Sequence, residues 1–282
     1  MNQILLSMLG KIARLARSTG LGSLLDVSLD LMDFIFMRVA IPPLKVKING
    51  FEVRGYLRHK SFLEHISTGK YESFCRELYE KALRPGMIVV DGGAHIGLYS
   101  LLAAQRIGAN GKVFAFEPDP YNFQCLVFNI TKNRCSNVIP IQKALHNTVG
   151  IASLYRSSST ISSSLFNRKG VRKLTITSVP VTTLDKALQG LAINSILIKL
   201  DIEGSEPLAL QGMSNILQRC NSVVIFAEIN PSALRDADLN PEDMISQLES
   251  FGFRTYFVDE LNKRLTRPTI DRKGMLYCVK KD

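Results

Sequence analysis

Residues 195–204, SILIKLDIEG, set three charges at alternate positions of an otherwise apolar run. If the run is extended, Lys199, Asp201 and Glu203 share one face, while Ile196, Leu197, Ile198 and Leu200 mark a buried strand. Buried charges cost several kcal/mol each unless they are paired. Either Lys199 neutralises the acids as a structural cluster, or the strand end opens into a polar pocket. The pocket is the preferred reading, because ligands of open α/β sheets bind outside the carboxyl ends of strands, where Asp201 and Glu203 fall. A second apolar run, 222–230, ends on Glu228-Ile229-Asn230 and offers oxygen atoms beside the first, so Glu228 and Asn230 are candidate substrate contacts. Asp201 and Glu228 together would also suit Mg²⁺, but hydrogen bonding within the pocket is preferred and no metal is assigned.

A further pair of acids closes residues 87–117. Residues 87–90 form a short apolar run of the kind a strand buried on both faces requires, and Asp91-Gly92-Gly93-Ala94-His95-Ile96-Gly97 breaks it. A helix through about residue 107 and a strand at 112–116 follow, the latter ending on Glu117. A dinucleotide fingerprint needs glycines in the order G-x-G-x-x-G, but counting from Gly93 that register meets His95 and Leu98. Acid-x-Gly-x-x-x-Gly fits instead, letting backbone pass close to a nucleoside and an amino-acid tail without anchoring phosphates. Glu117 is placed to accept hydrogen bonds from both ribose hydroxyls. The cofactor-binding candidates are Asp91, Gly93, Ala94, His95, Gly97, Glu117, Asp119 and Ala144, the last at the end of a strand over 137–145 where an adenine edge would lie. A generic turn with a solvated glutamate is the alternative.

These motifs need a sheet to position them, and 282 residues with 46% hydrophobic content can supply one substantial α/β domain with additions. Further helices are expected from Pro118-Asp119-Pro120 to about 133, over 205–219 and over 241–252, and strands at 151–156, 174–181, 254–259 and 275–280. The connection between the last two strands is too short for a packed crossover helix, which makes them antiparallel neighbours. The expected domain, 84–282, is a mostly parallel seven-stranded sheet with one antiparallel edge strand and helices on both faces. Within it, the serine-dense loop 157–170 is either filler or a lid.

Residues 1–83 form an N-terminal extension. Its first 17 residues carry Lys11, Arg14 and Arg17 beside an apolar stripe, which suits either contact with an anionic membrane surface or packing on the domain. No signal peptide is expected. Residues 21–41 are interrupted by Asp26, Asp30, Asp33 and Arg38, each costing ~2.5–3.5 kcal/mol at a helix centre, and are not expected to span a membrane. Asn49-Gly50 signals a hairpin within 45–58, and 71–83 reads as a helix. The net charge of +10 is spread over small basic groups with no interleaved aromatics, so a nucleic-acid partner is not favoured. Five scattered cysteines without a C-x-x-C pair argue against disulfides and zinc and for a reducing, cytoplasmic setting, with peripheral membrane contact open.

With PGMIVVDGGAHIGLYSLLAA, FAFEPDPYNFQCLVFNI, VPVTTLDKAL, ILIKLDIEGSEPLALQGM and VVIFAEIN in order, the chain resembles the FkbM family of S-adenosylmethionine-dependent methyltransferases over about residues 84–258. The resemblance implies a Rossmann-like class I fold and O-methylation of a hydroxyl on a sugar, glycan, glycolipid or secondary metabolite. It also places Asp201 and Glu203 beside the transferred methyl. For that reaction Asp201 is the first candidate base and Glu203 the second, with Lys199 completing the catalytic group. Gly92 stands where a β-branched residue is usual, and His95 where asparagine is common. Two alternatives remain: a nucleic-acid (RNA) methyltransferase, and a non-catalytic module that binds membrane or glycan.

Overall fold

The computed structural model describes residues 42–157, 161–171 and 173–280. The expectations for residues 1–17 and 21–41 lie outside the described residues. Among the described residues no helix is long and apolar enough to cross a membrane, and the five cysteines are free thiols.

A hairpin opens the described chain: β1 (Leu44–Ile48) pairs antiparallel with β2 (Phe51–Gly55), turning at Asn49-Gly50 where both φ angles are positive, as a tight two-residue hairpin turn requires. A 3-10 turn at Leu57–His59 leads into α1 (Lys60–Ser67), and α2 (Ser73–Ala82) follows. The central unit then runs β3 (Ile88–Gly92), α3 (Leu98–Ile107), β4 (Lys112–Phe116), α4 (Pro120–Lys132) and β5 (Val138–Ile141). Asp119 caps α4 by accepting from the backbone N–H groups of Tyr121 and Asn122, and Pro120 occupies the first turn, where its missing N–H costs nothing.

The strand expected over 137–145 is two strands. After β5 the chain bends at Gln142 and Lys143, and β6 (Ala144–Leu145) leaves the main sheet to pair with β8 (Lys173–Thr182), itself paired with β7 (Gly150–Ser157) in a small three-stranded sheet. The chain continues through α5 (Leu184–Ala187) and β9 (Ser195–Leu200). The helix expected over 205–219 is likewise broken at Gly212-Met213, into α6 (Glu206–Gln211) and α7 (Ser214–Arg219). Then come β10 (Ser222–Ile229), α8 (Pro231–Asp236), α9 (Pro241–Ser250), β11 (Phe253–Asp259), β12 (Arg264–Thr266) and β13 (Gly274–Lys280).

The main sheet has eight strands, in the order β12-β11-β13-β10-β9-β3-β4-β5. Strands β5, β4, β3, β9 and β10 are parallel neighbours. A short reversed strand, β12, lies at the edge, and β13 is reversed as well but sits inside the sheet between β10 and β11. This mostly parallel sheet with helices on both faces is the expected Rossmann-like class I architecture, one strand larger than expected. One core packs α5, α6, α7 and α9 on a face formed by residues such as Ile196, Ile198, Leu200, Ile225 and Ala227. The other packs α2, α3 and α4 on Val89, Leu197 and Phe226. Strand order reverses direction between β3 and β9, which opens a crevice at their carboxyl ends.

Candidate active site

A cavity of about 250 Å³ occupies that crevice. Asp91, the last but one residue of β3, pairs in register with Lys199 of β9, so the two charges expected on separate strands are neighbours in one row. The backbone N–H groups of Gly93 and Ala94 both donate to the Phe116 carbonyl, at 2.9 Å, which pins the turn to the end of β4. Gly93 has φ +77°, and a Cβ there would lie 2.0 Å from the Asp201 carbonyl oxygen, so any side chain would push the β3 and β9 ends apart. The Gly92 departure also has a packing reason: a Cβ would stand 2.9 Å from Leu145 and 3.0 Å from Leu200, which already fill the β-branched position.

Glu117, buried just beyond β4, accepts from His95 N at 2.8 Å, Asp119 N at 2.9 Å and Asn122 Nδ2 at 3.4 Å. Burial, reinforced by the Asp119 charge, pushes its carboxyl up to about 8. At the middle of the cavity Lys199, 2% exposed, lies 3.1 Å from Asp201 Oδ2 and 4.5 Å above the Tyr99 ring. Burial alone would lower its pKa, but Asp201, Asp91 and Glu72 outweigh it and hold the ammonium charged, above the ordinary lysine range. Asp91 accepts from Ser100 Oγ at 2.6 Å, and burial raises its carboxyl despite Lys199.

The far end is a cluster of acids. Carboxylate oxygens of Asp201, Glu203 and Glu228 lie within 4.8 Å of one another, a spacing that also suits a cation. Lys273 stands among them, 3.2 Å from Glu203 Oε1 and 2.8 Å from Glu228 Oε1. Glu203, left-handed at φ 53°, is also bound by Arg168 and by Asn230 Nδ2 at 3.3 Å. Ser164 Oγ from the serine loop donates to its carbonyl at 2.7 Å. Burial and the neighbouring acids push Glu228 well above the carboxylate range. The Asp201–Gly204 turn is held by buried Glu206, which accepts from Ile202 N at 2.8 Å and Gly204 N at 2.9 Å; burial raises its carboxyl to about 7.

Of the expected residues, Asp91, Gly93, Ala94, His95, Glu117, Ala144, Lys199, Asp201, Glu203 and Glu228 line this one cavity. Three do not. Asp119 caps α4 and forms a buried ion pair with Arg156 at 2.8 Å, Gly97 supplies the left-handed entry to α3, and Asn230 caps α8 while bracing Glu203. The Asp119 and Asn230 side chains are consumed by helix caps, which an Asp-Pro or Asn-Pro pair could have signalled. Missed in the sequence were Phe62, Tyr71, Glu72, Tyr99 and Lys273, which also line it. No local pattern brings the first three to the sheet, and Lys273 reads as part of a solvated basic group.

The cavity suits a nucleoside bearing a charged amino-acid tail. Glu117 keeps lone pairs free beyond its backbone donors, and Asp91 Oδ1 and both His95 ring nitrogens are buried without a partner. A glycine turn closed on β4, an acid at the carboxyl end of each of β3 and β4 and a last strand inserted beside β10 define the class: S-adenosylmethionine-dependent methyltransferases of class I. Within that class the chain belongs to the FkbM family, whose methyltransferase domain model matches residues 91–255.

It is 25% identical over 206 residues to the hexuronic acid methyltransferase AglP of Haloferax volcanii, a match spanning 71% of this chain and 83% of that protein. Its fold is similar to that of a putative rRNA methylase from Clostridium thermocellum, with TM-score 0.46, 14% identity, and 76% and 95% of the two chains covered. It is also similar to a putative methyltransferase from Streptococcus mutans in complex with SAH, with TM-score 0.44, 12% identity, and 75% and 96% covered.

Proposed function

We propose that the protein methylates a hydroxyl oxygen of a sugar, carried on a glycan or a small molecule, with Asp201 as general base. The observation that carries this reading is the difference among the strand-end acids. The Asp201 side chain, bonded to Lys199, is 23% exposed, whereas Glu203 and Glu228, both bonded to Lys273, are only 5% and 8% exposed. Similarity to a hexuronic acid methyltransferase supports a sugar as the acceptor class.

When bound, S-adenosylmethionine supplies an activated methyl group on a sulfonium. Glu117 would hold the ribose hydroxyls, Asp91, Gly93, Ala94 and His95 would frame the amino-acid tail, and Ala144 would lie against the base. Asp201 takes the acceptor's proton on a carboxylate oxygen, while Lys199 remains an ammonium and fixes that carboxylate's position. Rate comes chiefly from holding the acceptor oxygen in line, with proton removal adding ~10²- to 10⁴-fold. Lys273 supplies positive charge between Glu203 and Glu228, so turnover should survive a strong chelator; loss of activity restored by Mg²⁺ would assign the three acids to a metal instead.

The test is incubation with S-adenosylmethionine and a panel of methyl glucoside, methyl glucuronide and simple alcohols. A one-methylene mass gain on a pyranoside that withstands mild alkali is expected, as for an ether. An alkali-labile gain would mean methylation of the acceptor's carboxylate, which needs no base and would contradict the role of Asp201.

A further inference from the structure

One wall of the cavity comes from ahead of the family-matched residues 91–255: Phe62 of α1, and Tyr71 and Glu72 just before α2. Glu72 stands at the N-cap of α2, where an acidic side chain ordinarily accepts from the first free backbone N–H groups, yet it makes no such bond. Glu260, after β11, does that work, accepting from Phe74 N at 3.0 Å and Cys75 N at 2.6 Å. The Glu72 backbone is left-handed, φ 44° and ψ 44°, a conformation that a non-glycine residue keeps only where its surroundings over-determine it. So released, its carboxylate turns inward, accepting from the Tyr99 hydroxyl at 2.6 Å and bonding the Tyr71 hydroxyl. Tyr71 packs edge-on against Phe62 with ring centroids 5.3 Å apart. Its hydroxyl feels the charges of Glu72, Asp201 and Glu228, and it lines the same cavity as the two strand-end acids.

We propose that Phe62, Tyr71 and Glu72 form the acceptor subsite and that its ligand is a pyranose ring. The two aromatic rings offer apolar area to the C–H face of a sugar. Glu72 accepts from ring hydroxyls on its remaining lone pairs, and the Tyr71 oxygen, its own proton given to Glu72, accepts from another. A few convergent polar groups on an apolar wall are what orient a small ligand. The inference rests on the sugar reading above and adds that the N-terminal extension selects the acceptor.

The experiment compares wild type with Glu72→Gln, Tyr71→Phe and Phe62→Leu. It measures KM for whichever pyranoside of the panel is methylated, calorimetric affinity for S-adenosylmethionine and SAH, and melting temperature. Glu72→Gln is expected to raise the acceptor KM about tenfold or more, the loss of one charge-assisted hydrogen bond, with cofactor affinity within about twofold of wild type. The other two variants should shift KM the same way and stand in if Glu72→Gln does not fold. Unchanged KM in all three overturns the subsite, as does an equal loss of affinity for S-adenosylmethionine and SAH, which would assign Glu72 to the cofactor. A KM change that only tracks lowered melting temperature makes the wall structural and also overturns it. Wild-type turnover on simple alcohols but on no pyranoside refutes the sugar reading itself, and the subsite with it.

Discussion

At the β4 end of the cavity the Glu117 carboxylate is met by two backbone N–H groups at 2.8 and 2.9 Å, whereas at the β9 and β10 ends Asp201, Glu203 and Glu228 are met by the cations of Arg168, Lys199 and Lys273. Backbone donors come with the fold, so the first end is complete as soon as β3, β4 and the turns that follow each of them form. Cations must be delivered by side chains far apart in sequence, and burial makes any imbalance costly. In the proposed reading the first is the cofactor end, set by topology, and the second the acceptor end, set by side chains whose charges must balance.

The charge balance of the second end depends most on Lys199. Lys199→Met leaves Asp91, Asp201 and Glu72 facing one another without their ammonium and is expected to cost ~3–5 kcal/mol in urea unfolding at pH 8. Part of the loss should return at pH 6, because buried acids already shifted upward protonate more readily there; a variant as stable as wild type would deny the acid cluster its ionic character. At the opposite end, Glu117→Ala should leave the fold intact and weaken S-adenosylmethionine binding by about 2–3 kcal/mol in calorimetric titration. Unchanged affinity would remove Glu117 from the cofactor.

A finer measurement sharpens the contrast through pH. Glu117 has a folded pKa of about 8, raised above its unfolded value, so its neutral form favours folding. That contribution is fully present below the unfolded pKa and is lost as pH rises through about 8. Cofactor-free wild type should therefore lose melting temperature relative to Glu117→Gln between pH 5 and 8.5, intervals set by the raised pKa. Parallel pH curves for the two proteins would show that the backbone donors already compensate the ionised carboxylate.

The glycine-turn end of the cavity was legible because its signals are local. An apolar run, an acid and a glycine that cannot carry a Cβ occur within Ile88–Gly92 and the residue after it, and the next acid follows the next strand. The alternation of Lys199, Asp201 and Glu203 likewise gave a polar strand end, since period-2 spacing needs no tertiary information. Asp91 facing Lys199 could not be read, because parallel register is set by packing between strands distant in sequence. Nor could Glu72: a helix-start acid reads as a cap, and only Glu260, 185 and 186 residues from the amides it binds, shows the cap to be supplied elsewhere. The insertion of β13 between β10 and β11 and the departure of β6 to a second sheet escaped for the same reason.

In the proposed reaction Asp201 removes the acceptor's proton while the backbone-held end binds the cofactor independently. Asp201→Asn keeps the side chain's shape but cannot take a proton at neutral pH. Turnover, S-adenosylmethionine affinity and melting temperature measured on one preparation should show kcat lowered ~10²-fold or more with affinity little changed. Near wild-type kcat would contradict that role, and a loss of cofactor affinity or stability in place of rate would make Asp201 the structural partner of Lys199.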